Sequence, residues 1–344
     1  MPIIDWPQPE LITDLARDFE PDPAEYEGLS ILPMDTTRND NSPIKIKWDI
    51  LGASNGLLQA HALNTEAALV SKKRLKTKEM KTAFWKEKMI FDEEDLLTLR
   101  GIGTNFQRRY AMEMIAEGMA DLRSRLWSRV EQLIWACLHG TLTFSSNGVI
   151  RSIDYEIPAG NKFNAAVKWS TLATADPITD IQTMEAVFAQ YGARLKTIYM
   201  NKANVTKMAQ NVAVRTLVRN SSEVLRIGES QVANLAMQLA GVDGEIKVYD
   251  KGYNNSSGAF TRFLSDSKVV FVAEGPARLG KLGRFQSTPS LYNGGISGAT
   301  GGEFMIPIDM SNEEDNPYYA LVSGIYGLPV LVKPMWVGIL TTEF

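Results

Sequence analysis

Residues 104–139 read TNFQRRYAMEMIAEGMADLRSRLWSRVEQLIWACLH, a run of 36 residues without a proline. Ile115, Met119, Leu122, Leu126, Val130, Leu133 and Cys137 recur at steps of three and four, the spacing that lines side chains along one helical face. Arg123, Arg125, Arg129 and Glu131 fall mostly off that stripe. Gly140 follows the last periodic residue and suits a helix C-terminal cap. At 1.5 Å per residue such a helix would be about 54 Å long, long for a compact domain. One modest apolar stripe on so long a helix predicts a strut or a coiled-coil segment.

Upstream of this helix the charges separate. Residues 1–36 hold nine acids against one base, Arg17, with prolines at 2, 7, 9, 21, 23 and 33. Such a segment cannot build a core of its own and reads as an extended arm, with at most a helical turn at Leu11–Phe19. Ile44–Ile50 alternates apolar and polar, as a half-buried strand does. Between positions 72 and 88 there are eight bases (Lys72, Lys73, Arg74, Lys76, Lys78, Lys81, Lys86, Lys88) against Glu79 and Glu87. Strand, long connection and return predict a protruding hairpin. Its basic run is a solvated face, a nucleic-acid contact or the counterpart of the acidic arm on another copy. Asp92–Asp95 stands where a helix begins, and acids in a first turn favour capping over a metal site.

Downstream, Val149–Tyr155 reads as a strand, and Asp176-Pro177 as a helix start with Asp as cap and Pro at the first helical position. Ile181, Met184, Val187, Phe188 and Tyr191 form its stripe, and Gly192 ends it. Strands at Leu195–Met200, Glu245–Tyr249, Phe260–Leu264 and Val269–Ala273 enclose two or three helices, so 176–274 reads as a small α/β core. Residues 275–302 carry eight glycines and read as a long loop with some extended chain. Residues 318–342 return as strands.

The 344 residues carry 36 basic and 40 acidic side chains, one cysteine and two histidines. A net charge of −4 disfavours binding nucleic acid by bulk charge. One thiol excludes an intramolecular disulfide or a cysteine-built zinc site, and His61 and His139 alone leave little for nucleophile-and-base catalysis. No catalytic, cofactor or metal residue is expected, and Cys137 with His139 reads as a buried thiol beside a capping imidazole. The start MPIIDW has no basic leader before an apolar core, so export is not expected. Tyr318–Leu340 is interrupted by Pro329, Lys333 and Pro334, so a membrane helix is not expected either.

Three motifs fail on inspection. Gly275–Lys281 matches GxxxxGK, but Leu282 replaces the magnesium-holding hydroxyl and no helix start follows. Asp309–Asp315 lacks the central glycine and the closing glutamate of a calcium loop, since position 320 is Ala. Gly101-Ile-Gly103 has Phe106 where a dinucleotide fingerprint needs glycine.

The parts in this order resemble the major capsid proteins of tailed phages, and within them the lambda-type capsid protein E family of the HK97-like fold. The similarity rests on Phe91–Asp95 before the long helix and on Arg108-Arg109 within it. It rests also on Val167-Lys168-Trp169-Ser170 followed by Asp176-Pro177-Ile178-Thr179-Asp180-Ile181. Val248-Tyr249, Tyr253, Phe263–Asp266 and the closing Pro329–Pro334 complete it. The resemblance implies an α+β chain with an N-terminal arm (1–40) and an extended loop over a neighbour (41–91). A peripheral domain (92–175, spine helix 104–139), an axial domain (176–304) and C-terminal strands (305–344) follow. It also implies hexamers and pentamers closing an icosahedral head, assembled in the host cytoplasm around double-stranded DNA without sequence-specific contact. A separate scaffolding protein, a portal at one vertex and a decoration protein are the implied partners. Asp14, Asp18 and Asp22 are then candidates to face Lys72, Lys73, Arg74, Lys76 and Lys78 of another copy. Two alternatives stay open: an encapsulin-like compartment, and a nucleotide-binding enzyme using 275–281.

Overall fold

The proline-free stretch folds as one helix, Asn105–Leu138, in the computed structural model. The structure describes residues 26–35, 45–52, 75–91, 105–146, 149–221, 228–255, 257–276, 280–288, 303–310 and 318–344. In chain order the elements are α1 (Glu27–Ile31), β1 (Met34–Asp35), β2 (Lys45–Leu51), β3 (Leu75–Lys81), β4 (Phe84–Phe91), α2 (Asn105–Leu138), β5 (Thr141–Ser146), β6 (Val149–Asp154) and β7 (Lys162–Asn164). There follow α3 (Pro177–Gln190), β8 (Arg194–Met200), α4 (Lys202–Gln210), α5 (Val212–Ser221), α6 (Glu229–Leu239), β9 (Glu245–Val248), β10 (Gly252–Asn254) and β11 (Phe260–Arg262). The chain closes with β12 (Lys268–Glu274), β13 (Gly283–Ser287), β14 (Glu303–Met310), β15 (Tyr318–Leu331) and β16 (Val337–Thr341). They fall into two units: residues 1–47, 79–134 and 284–330, and residues 48–78, 135–283 and 331–344.

In the first unit β15 is the organising strand. It pairs antiparallel with β14, from Glu303↔Ile325 to Met310↔Tyr318, and with β4, from Phe91↔Tyr319 to Phe84↔Tyr326. β13 and then β1 extend the same five-stranded sheet. One face of this sheet meets α2. Ile115, Met119 and Leu122 pack there with Phe91, Tyr319 and Leu321. Arg123 reaches Glu303 at 2.9 Å beside this core.

The seven stripe residues of α2 are all buried. Burial then widens beyond the expected stripe. Val130, Glu131, Leu133, Ile134, Trp135, Cys137 and Leu138 are all buried, so the last turns are core rather than an exposed strut. The cause is contact distant in sequence. Glu131 Oε1 accepts the Gly28 N–H at 2.8 Å, while Trp135 stacks on Tyr249 at 4.8 Å and meets Tyr199 edge-on at 5.4 Å. The helix stops at Gly140, whose φ of +88° is the left-handed conformation an αL cap requires.

The second unit is built on a sheet in the order β7-β16-β12-β8-β9. β12 runs antiparallel to both β16 and β8, whereas β7–β16 and β8–β9 are parallel. The parallel β8–β9 step needs a long crossover, and α4–α6 supply it. Asp176 caps α3 by accepting the Thr179 N–H, with Pro177 at the first helical position as expected. The W-S…D-P-x-x-D-I pattern now has a physical meaning. The buried Trp169 indole N–H donates to Asp180 Oδ2 at 2.9 Å, and Ser170 donates twice to Glu343. Burial raises the Asp180 carboxyl, against the indole bond that lowers it.

Candidate subunit interface

The candidate interface residues lie in the charged arm and around the basic run. Asp14, Asp18, Asp22, Lys72, Lys73 and Arg74 fall outside the described residues. Lys76 and Lys78 are described, on β3, which pairs with β2 as a two-stranded ribbon. Along β2, Ile46 and Trp48 are buried while Lys45, Lys47 and Asp49 are exposed, the alternation read in the sequence. Across the ribbon Thr77 donates to Asp49 at 2.6 Å, and Lys45 and Lys47 both pair with Glu79. The hydrogen bonds from Lys45 and Lys47 hold the Glu79 carboxyl below its ordinary range.

The ribbon end formed by Leu51 and Lys76 is fastened within the second unit. Lys76 and Lys78 sit two apart on β3, hence on one face, and both donate to Glu156 Oε1, at 2.7 and 2.8 Å. Lys78 also donates to the Asp154 carbonyl at 2.5 Å. The Lys76 bond foremost, and then that of Lys78, lowers the Glu156 carboxyl. On the other strand, the Leu51 N–H donates to the Val332 carbonyl at 3.2 Å. Sequence reasoning missed Glu156. Its only local signal is an acid directly after an alternating strand, and the lysines it binds lie about 80 positions upstream.

Among the described residues the basic run is divided between two elements, β3 and β4. Lys86 and Lys88 lie on β4, in the sheet of the first unit, where Lys86 stands over Phe84 and Lys88 over the Tyr318 ring at 4.4 Å. The hairpin reading carried these lysines with the protruding loop. Their cross-strand pairing with β15 instead fixes them in the sheet.

Of the thiol and the two imidazoles, His61 lies outside the described residues and Cys137 and His139 are enclosed. Burial pushes the Cys137 thiol well above its ordinary value, partly offset by a hydrogen bond with Tyr155. Burial pushes His139 down to about 4, while its bond to the Trp135 carbonyl opposes the shift. Both groups are neutral near pH 7, so they form no thiolate–imidazolium pair. At the GxxxxGK motif, a Cβ at Gly275 would collide with the Trp336 indole. The next element after it is strand β13 rather than a helix, so among the described residues no helix N-terminus follows the motif to face a phosphate. Among the described residues, no group of three His, Cys, Asp or Glu is placed to hold a metal ion. Asp92–Asp95 and Gly101-Ile-Gly103 lie outside the described residues, as does most of Asp309–Asp315. No helix among the described residues is long and apolar enough to cross a membrane.

A long helix on a five-stranded sheet, an α/β unit and a charged ribbon are thus the parts in place. The family model for the phage major capsid protein E matches residues 39–290. The chain belongs to that family. It is a tailed-phage major capsid protein, a structural shell protein. Its fold is similar to that of a putative capsid protein of a prophage of Escherichia coli CFT073, at 16% identity and a TM-score of 0.64, covering 97% of this chain and 98% of the other. It is also similar to a phage-related protein of Bordetella bronchiseptica RB50, at 10% identity and a TM-score of 0.54, covering 97% and 96%. These likenesses identify the HK97-like capsid fold.

Proposed function

We propose that copies of this capsid protein join as hexamers and pentamers into an icosahedral head around double-stranded DNA. The match to the capsid family over most of the chain carries this reading. Residues 1–40 act as the arm, 41–91 as the extended loop, 92–175 with α2 as the peripheral domain, 176–304 as the axial domain and 305–344 as returning strands. A separate scaffolding protein guides assembly in the host cytoplasm, and a portal occupies one vertex. A decoration protein is a further candidate partner. The wall holds DNA without reading its sequence, and the net charge of −4 keeps it from binding phosphate tightly.

Contacts between copies pair opposite charges. Asp14, Asp18 and Asp22 of one arm face Lys72, Lys73 and Arg74 of a neighbour's loop. Lys76 and Lys78 stand at the root of that loop. Exposed pairs contribute only ~0–1 kcal/mol each. Over a shell they add up, while each remains reversible enough to correct errors of assembly.

The test is co-expression with a scaffolding protein, followed by negative-stain electron microscopy. Closed shells with hexamer and pentamer lattices are the expected product. A monodisperse monomer in the presence of scaffold would overturn the head-assembly reading. The triple variant Lys72→Glu, Lys73→Glu, Arg74→Glu should keep wild-type circular dichroism and lose shell formation. Normal shells from it would remove the charge-pairing proposal and leave the capsid reading standing.

A further inference from the structure

We infer that Glu156 is the positioning residue of the β2–β3 ribbon: it locks the start of β3 to the end of β6. The inference rests on the assembly reading above, in which 41–91 reaches over a neighbour and the hold on the ribbon matters for that contact.

Four observations converge. First, Glu156 Oε1 gathers two lysines from one face of β3, and Lys78 adds a bond to the Asp154 carbonyl. Second, Glu156 has a φ of 55°, and among the described residues it is the only non-glycine with positive φ. A side chain other than Gly, Asn or Asp is disfavoured there, and such strain persists only where the surroundings over-determine it. Third, the conformation is fixed from both sides. The Glu156 N–H donates to Asp154 Oδ1 at 2.9 Å, while the Tyr155 N–H donates to the Gly140 carbonyl at 2.9 Å and its ring is buried. Tyr155 thus anchors the turn inward while Asp154 and Glu156 face the ribbon. Fourth, the partner strand is tied at the same end through Leu51 and Val332, so both strands of the stem are held.

The choice of glutamate follows from reach. Glycine or asparagine would relax the backbone, but neither carries a carboxylate on a chain long enough to take both ammonium groups. The two lysines differ in role. Lys78 is 20% exposed and forms the inner anchor, whereas Lys76 is 64% exposed. Lys76 therefore stays open to a second carboxylate from a neighbouring copy while Lys78 keeps the stem in place.

Hydrogen exchange on the full-length, unassembled subunit tests this without requiring shells. The expected result for Glu156→Gln is about fivefold faster exchange in peptides covering 48–51 and 75–78, the factor that ~1 kcal/mol gives, with β12 unchanged within twofold. Glu156→Asn should behave alike, since asparagine suits the left-handed backbone and lacks only the charge and the reach. Unchanged exchange at 75–78 in Glu156→Gln, or equal acceleration throughout β12, would overturn the inference. Failure of the wild-type chain to form shells bears on the assembly reading instead, so the two failures are separable.

Discussion

The β12-centred sheet and the β2–β3 ribbon are both β-structure, and they are held by opposite means. In β12, Val269, Val270 and Phe271 are fully buried and are flanked on both sides by antiparallel partners. The ribbon has Ile46 and Trp48 turned inward, and apart from a few hydrogen bonds such as that of Leu51 to Val332 its side-chain ties are lysine to carboxylate. Apolar burial is non-directional and scales with area, which makes the sheet stable and indifferent to salt. Ion pairs at a surface are weak, directional and screened. A subunit that joins others in a capsid shell benefits from that division: the sheet keeps its shape, and the ribbon is held by charges that can be exchanged.

The hardest break to this comparison is in the sheet. Phe271→Ala should lose about 3–5 kcal/mol, the range for deleting a buried aromatic ring. Denaturant unfolding of the unassembled subunit reads it, and a loss below 1 kcal/mol would mean that β12 is not the core. A step smaller, Asn161→Ala tests the polar pins of the same unit. The buried Asn161 amide donates to the Met335 and Val337 carbonyls, at 2.9 Å each. Its removal leaves those acceptors without this partner and should destabilise by about 1–3 kcal/mol. Wild-type stability in that variant would show that the two carbonyls find other partners.

Where the signal was local, sequence reading found it. The stripe of α2, the Asp176-Pro177 cap, the Gly192 stop and the alternation of β2 each depend on residues within a few positions, and each is found in the structure. What escaped depends on distant partners. The all-round burial after Val130 comes from Tyr199, Tyr249 and Gly28, up to about 110 positions away. The division of the basic run between ribbon and sheet follows from the pairing of β4 with β15, more than 230 positions downstream. For the proposed interface, the charges of 1–36 and 72–88 are visible as runs in the sequence, and Asp14, Asp18, Asp22, Lys72, Lys73 and Arg74 lie outside the described residues. Glu156 was not visible in this way, because one acid after a strand carries no mark of a left-handed turn or of two lysines converging on it.

The smallest predicted effect is the one that separates the two regions by pH. Glu156→Gln should change subunit stability by no more than ~1 kcal/mol at pH 7, as an ion pair near the surface does. Its pH dependence has a definite sign. The lysine bonds lower the folded-state carboxyl from its ordinary 4.5, so the unfolded chain binds the proton more readily. The contribution of Glu156 is therefore complete above 4.5 and is lost as pH falls through its lower folded-state value. Glu303 runs the other way. Burial raises its carboxyl despite Arg123, so its contribution grows as pH falls from that raised value toward 4.5. Wild type and Glu156→Gln should then differ by a constant amount above pH 4.5 and converge below it, with Glu303 acting equally in both. Two unfolding curves that stay parallel down to pH 2 would mean that the Glu156 carboxylate contributes nothing to holding β3, and that the ribbon is fastened by its backbone alone.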